Sequence, residues 1–76
     1  MREQLLRAAL GHFESQSLTA RANLEVYLTS SSGVGEHPCL VAEVVKLTQQ
    51  VTEAEENVRT LEELLGLMAL VAESNA

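Results

Sequence analysis

The sequence predicts an all-α fold: an antiparallel two-helix hairpin, with helices over about residues 2–29 and 38–73 of a single domain spanning 1–76. Several copies are expected to assemble into a homo-oligomeric helical bundle. Three observations predict this. Two long segments carry apolar residues at an unbroken helical spacing. One short stretch between them, Ser30–Pro38, has the chemistry of a reversal. The two segments together also carry more apolar surface than one hairpin can hide.

In the first segment, Leu6, Leu10, Phe13, Ser17, Ala20, Leu24 and Tyr27 follow one another at spacings of 4-3-4-3-4-3, the seam of a helix packed lengthwise on another. Leu5, Ala9 and Leu28 are expected to widen the apolar face. Ser17 and Ala20 are small, so the partner helix should come close near the middle. Glu14 and Glu25 read as solvated surface charges. His12 has Ala8 and Gln16 one turn away, so no second ligand or base stands at helical spacing, and it reads as a rim histidine.

In the turn, Gly33 and Gly35 supply backbone freedom for a tight reversal, and Pro38 suits the first position of a new helix. The second segment resumes with Leu40, Val44, Leu47, Val51, Ala54, Val58, Leu61, Leu65, Met68 and Ala72, again at 4-3 spacing throughout. Glu55 and Arg59 stand four apart in the favourable acid-before-base order. The acidic residues Glu53, Glu55, Glu56, Glu62 and Glu63 lie on continuous helix, without the glycine turn of a calcium loop, and read as a solvated face. The lengths differ: about 1.5 Å per residue gives roughly 42 Å and 54 Å. Pairing from the loop outwards would leave Gly66–Glu73 without a partner in the chain. Either Gly66 breaks the helix and a short segment folds back, or another subunit covers it; the second subunit is the favoured expectation. The expected oligomer interface therefore includes Leu6, Leu10, Phe13, Leu24, Tyr27, Val44, Val51, Val58, Leu65, Leu67, Met68, Leu70 and Val71.

Composition narrows the function classes. A net charge of −6, with only five scattered basic residues, gives no electrostatic footprint for DNA, RNA or an acidic membrane. The apolar run Leu64–Ala72 is about half the roughly 20 residues a membrane span requires. The start of the chain, with Glu3 and Gln4, lacks the shape of a signal peptide. A single cysteine, Cys39, excludes an intrachain disulfide and multi-cysteine metal motifs, and suits a reducing compartment. No catalytic spacing links His12, His37, Cys39 and the glutamates, so no enzyme, cofactor or metal is expected. The one candidate ligand site is the turn. Gly33-Val34-Gly35 before a helix start offers backbone N–H groups in the manner of an anion nest, with Glu36 and His37 beside it. The same residues have a plain structural reading: glycines for the turn, Val34 as a plug over the bundle end, Glu36 favourably placed at a helix N-terminus.

Asn23-Leu24-Glu25-Val26-Tyr27-Leu28 followed by Gly33-Val34-Gly35-Glu36-His37-Pro38 resembles a group of small proteins encoded by tailed bacteriophages, over roughly residues 12–65. The chain departs from that group in having Ser30-Ser31-Ser32 where Asn-Pro is usual, and Cys39 where an Asp often follows. The resemblance implies a phage accessory protein in the host cytoplasm, without an established activity. The size and expected architecture are also similar to those of the sponge proteins that counter cyclic-nucleotide immunity. The resulting expectation is a non-catalytic oligomeric binding module that captures a small nucleotide, through the Gly33–His37 loop and Arg2, Arg7 and Arg21 of adjacent subunits. The alternative is a protein–protein effector of a host protein, or a small structural virion component.

Overall fold

The computed structural model describes residues 1–29 and 40–74. Helix α1 runs over Arg2–Thr29 and helix α2 over Leu40–Ser74. The described residues contain no strand. The two helices pack lengthwise and antiparallel into a rod of 61 × 15 × 15 Å. The expected end of α2 is met to within one residue; its expected start at Pro38 lies outside the described residues.

The 4-3 spacing identifies the packed seam. Every seam residue of α1 is buried or half-buried, and Ala9 is the only other residue of that helix not exposed. On α2 the series holds from Leu40 to Met68 and fails at the last member, Ala72, which is exposed. Full burial is confined to Ala20, Leu47, Val51 and Ala54 among the described residues, with Ala54 at 0% and Ala20 at 3% exposure. The two alanines mark the waist of the rod, its most deeply buried level. Two expectations are corrected: Leu5 and Leu28 do not widen the packed face but stand exposed.

Helix α2 passes through Gly66 without a break. A glycine inside a helix costs about 1 kcal/mol relative to alanine. Its neighbours Leu64, Leu65, Leu67 and Met68 are good helix formers, and Leu65 and Met68 also gain burial, so continuity wins.

The register also differs from pairing outwards from the loop. Arg21 meets Glu55, Tyr27 and Leu47 line one groove, and Arg2, Leu5 and Leu6 line another with Met68, Val71 and Ala72. The extra length of α2 therefore falls mostly at its N-terminal end, beyond Thr29. The end of α2 is flanked by the first turns of α1 and is not unpartnered as expected. Its cover is one-sided: Met68 is half-buried, while Leu67, Leu70 and Val71 remain exposed.

Candidate functional site

A two-helix rod has no interior cavity, so any site must lie in the shallow grooves beside the seam. Three stand out among the described residues. The largest, about 650 Å³, lies at the free end of the hairpin, between Arg2, Leu5 and Leu6 of α1 and Leu64, Leu67, Met68, Val71 and Ala72 of α2. A second, about 530 Å³, lies near the loop end, where Asn23, Val26 and Tyr27 face Glu43, Lys46, Leu47 and Gln50. The helical spacing puts these two on the same flank of the rod. The third, about 430 Å³, lies mid-rod on the opposite flank, lined by Glu14, Ser17, Leu18, Arg21, Glu55, Val58, Arg59 and Glu62.

Charge separates the flanks. In the mid-rod groove the Arg21 Nη2 donates to Glu55 Oε1 at 2.6 Å, joining the helices. This replaces the expected Glu55–Arg59 pair. Glu55 sits one position from the seam residue Ala54 and points along the α1 side, where Arg21 reaches it; Arg59 lies further round α2. With Glu14 and Glu62 also lining it, this groove holds more acids than bases and does not suit an anion. A second ion pair, Arg7 Nη2 to Glu3 Oε1 at 2.9 Å, lies within the first turns of α1 and is exposed.

The candidate loop residues Gly33, Val34, Gly35, Glu36 and His37, and Cys39 after them, lie outside the described residues. Arg21, the remaining candidate ligand residue, is held by Glu55. Arg2 and Arg7 stand at the opposite end of α1 from the loop, roughly 33–40 Å away along the helix axis at 1.5 Å per residue. The His12 ring lies edge-on to Phe13, with centroids 5.1 Å apart and planes at 73°. Exposed Thr29, Thr48 and Thr60 each donate their hydroxyl to the carbonyl one turn back. No group of three or more His, Cys, Asp or Glu able to hold a metal occurs among the described residues. Among the described residues no helix is long and apolar enough to cross a membrane.

Of the expected oligomer-interface residues, Leu6, Leu10, Phe13, Leu24, Tyr27, Val44, Val51, Val58, Leu65 and Met68 pack in the seam of the single chain, most of them only half-buried. Leu67, Leu70 and Val71 are exposed. Sequence reasoning missed Leu64 as a groove residue. The signal was present: Leu64, Leu67 and Val71 stand at i, i+3 and i+7, a stripe one step round from the seam.

In comparisons with protein families, with curated proteins and with solved structures, the chain matches none. The fold defines a class: an elongated helical hairpin with an apolar free end, one flank of few charges and one densely charged flank.

Proposed function

We propose that the chain is a non-catalytic binding module that works as a homo-oligomer. One observation carries the reading. Four residues are buried, while eleven large apolar side chains stand exposed among the described residues, six of them at the free end: Met1, Leu5, Leu64, Leu67, Leu70 and Val71. A solitary hairpin of this size hides too little apolar surface to be comfortably stable, and a bundle of copies supplies what is missing.

The ligand we assign is a small nucleotide, captured in the host cytoplasm by a phage accessory protein. Support comes from the resemblance at Asn23–Leu28 and Gly33–Pro38, and from the short-hairpin architecture common to nucleotide sponges. Gly33, Val34, Gly35, Glu36 and His37 would meet the phosphates, with Arg21 as the nearest basic residue on α1. Arg21 would have to exchange Glu55 for phosphate, which an exposed ion pair worth at most about 1 kcal/mol permits. Thermal-shift measurements with cyclic di- and trinucleotides test this. A rise in melting temperature is expected, and its absence at millimolar ligand removes the nucleotide.

A second reading, a protein effector or a virion component, is favoured by the outer face of α2, where Glu56 and Glu63 are exposed. Recovery of one stoichiometric partner from host lysate supports the effector. Presence in purified particles supports the virion component.

A further inference from the structure

We infer that the less charged flank of the hairpin is covered by a second copy lying side by side and pointing the same way, which closes a four-helix bundle whose two-fold axis runs along the rod. This rests on the oligomeric reading above and adds the face, the direction and the number of copies.

The first argument is area. A compact monomer of 8.3 kDa exposes about 4,600 Å². The hairpin exposes 5855 Å², about 1,300 Å² more. Stable protein interfaces bury about 800 Å² per partner, and obligate homodimers more, so the excess is what one extensive two-fold interface removes. Overlap of the free ends alone would engage only a fraction of the 61 Å rod and could not account for it. Overlap along the full length can.

The second argument is charge. One flank carries Arg7, Glu14, Arg21, Glu55, Arg59 and Glu62, and its charges already find partners or solvent where they stand. The flank with the two larger grooves carries fewer charges, namely Arg2, Glu43, Lys46 and Glu53. On α1 it presents Ala9, Gln16, Thr19, Asn23 and Val26, with Arg2 alone at the free end. Depletion of charge at the centre is the compositional mark of an interface.

The third argument fixes direction. Apolar and polar ends of this flank are segregated: Leu5, Leu64, Leu67 and Val71 at the free end, Glu43 and Lys46 at the loop end. Copies in the same direction set apolar end on apolar end, and each α2 then lies beside its neighbour's α1. Copies in opposite directions would lay α2 on α2 and set Glu43 and Lys46 against the neighbour's Val71 and Leu67, giving up the apolar contact between the two free ends. In the bundle so formed, the half-buried seam residues become the central core, and Arg2 and Arg7 stay at the end away from residues 33–37. That leaves Arg21 as the only one of these three arginines on the loop half of α1.

The full-length chain supplies its own probe, since Cys39, its single cysteine, directly precedes α2. A spin label on Cys39 in each copy is expected to give a label-to-label distance under about 30 Å, the diagonal of a bundle with 8–10 Å between neighbouring axes plus the label linkers. Opposed copies would give about 50 Å, twice the distance from Leu40 to the middle of α2, and that result overturns the direction while leaving the oligomer in place. Face is tested with Leu67→Glu and Leu18→Glu, both at sites largely exposed in the single chain, 57% and 71%. With helicity checked by circular dichroism, light scattering should find Leu67→Glu monomeric where the unmodified chain and Leu18→Glu are dimers, at least a tenfold weakening. The reverse pattern overturns the face. A larger oligomer of the unmodified chain overturns the two-fold bundle, and a compact monomer at high concentration removes the oligomeric reading itself.

Discussion

At the waist of the hairpin, Ala20 and Ala54 are the most deeply buried residues, with Leu47 and Val51 also buried on the same helix as Ala54. At the free end the same 4-3 spacing continues through Leu61, Leu65 and Met68 on one helix and Leu6 and Leu10 on the other, yet every one of these is only half-buried. Pattern does not separate the two regions, and neither does side-chain size alone: Leu47 and Val51 are buried, while small Ser17 is half-buried. Position along the rod does, with the buried residues around Leu47–Ala54 and the half-buried ones beside a groove of about 650 Å³ at the free end. Two helices bury the middle of the seam by themselves, whereas full burial of the large residues at the free end needs a third and a fourth helix.

The largest expected effect breaks this contrast most directly. Leu47→Ala opens space at a site that is 6% exposed and should cost about 2–5 kcal/mol, enough to unfold a chain of this size. Leu70→Ala, at the exposed free end and on the outer side of α2, should cost under about 0.5 kcal/mol. Urea denaturation followed by circular dichroism reads both. Equal losses at the two sites would mean that the free end is as tightly packed as the waist.

Which parts of this were legible in the sequence follows the same division. The spacing of Leu6 through Tyr27 and of Leu40 through Met68 names the residues that face the other helix, because helical geometry fixes direction around the axis. It does not fix displacement along the axis. That is set by contacts between residues 34 apart, Arg21 with Glu55 and the alanines beside them, so the outward pairing from the loop misplaced the overhang. Glu55 was open to the same error: local spacing offers Arg59, and only the packed pair of helices brings Arg21 within reach. Of the candidate site, the exposure of Leu67, Leu70 and Val71 could be read from their position off the seam. Gly33–His37 lie outside the described residues.

A smaller effect of opposite sign sharpens the contrast at the free end. At Gly66 an added methyl group would meet nothing within 4 Å, and the residue lies in regular helix. Gly66→Ala should therefore stabilise the chain by up to about 1 kcal/mol, through higher helix propensity and a less flexible unfolded chain. The position lies on the charged flank, away from the inferred interface, so oligomer mass should not change. A rise in melting temperature with unaltered mass is the expected result. A loss of mass would place Gly66 against a neighbouring copy, on the flank opposite to the one inferred.

The smallest effect concerns the ion pair at the waist. Arg21 and Glu55 are 58% and 41% exposed, so water and salt screen their attraction despite the 2.6 Å contact. A double-mutant cycle with Arg21→Ala and Glu55→Ala should give a coupling of about 0.2–1 kcal/mol, reduced further in half-molar salt. The alanines beside the pair are the more important determinant of register, because sliding the helices by one turn would drive Leu24 or Val58 into the space that Ala20 and Ala54 leave. The doubly substituted chain should thus keep its Cys39 label distance unchanged. A coupling well above 1 kcal/mol, or a shifted distance, would transfer control of register from the buried alanines to the charges, and the waist would then differ from the free end in electrostatics as much as in burial.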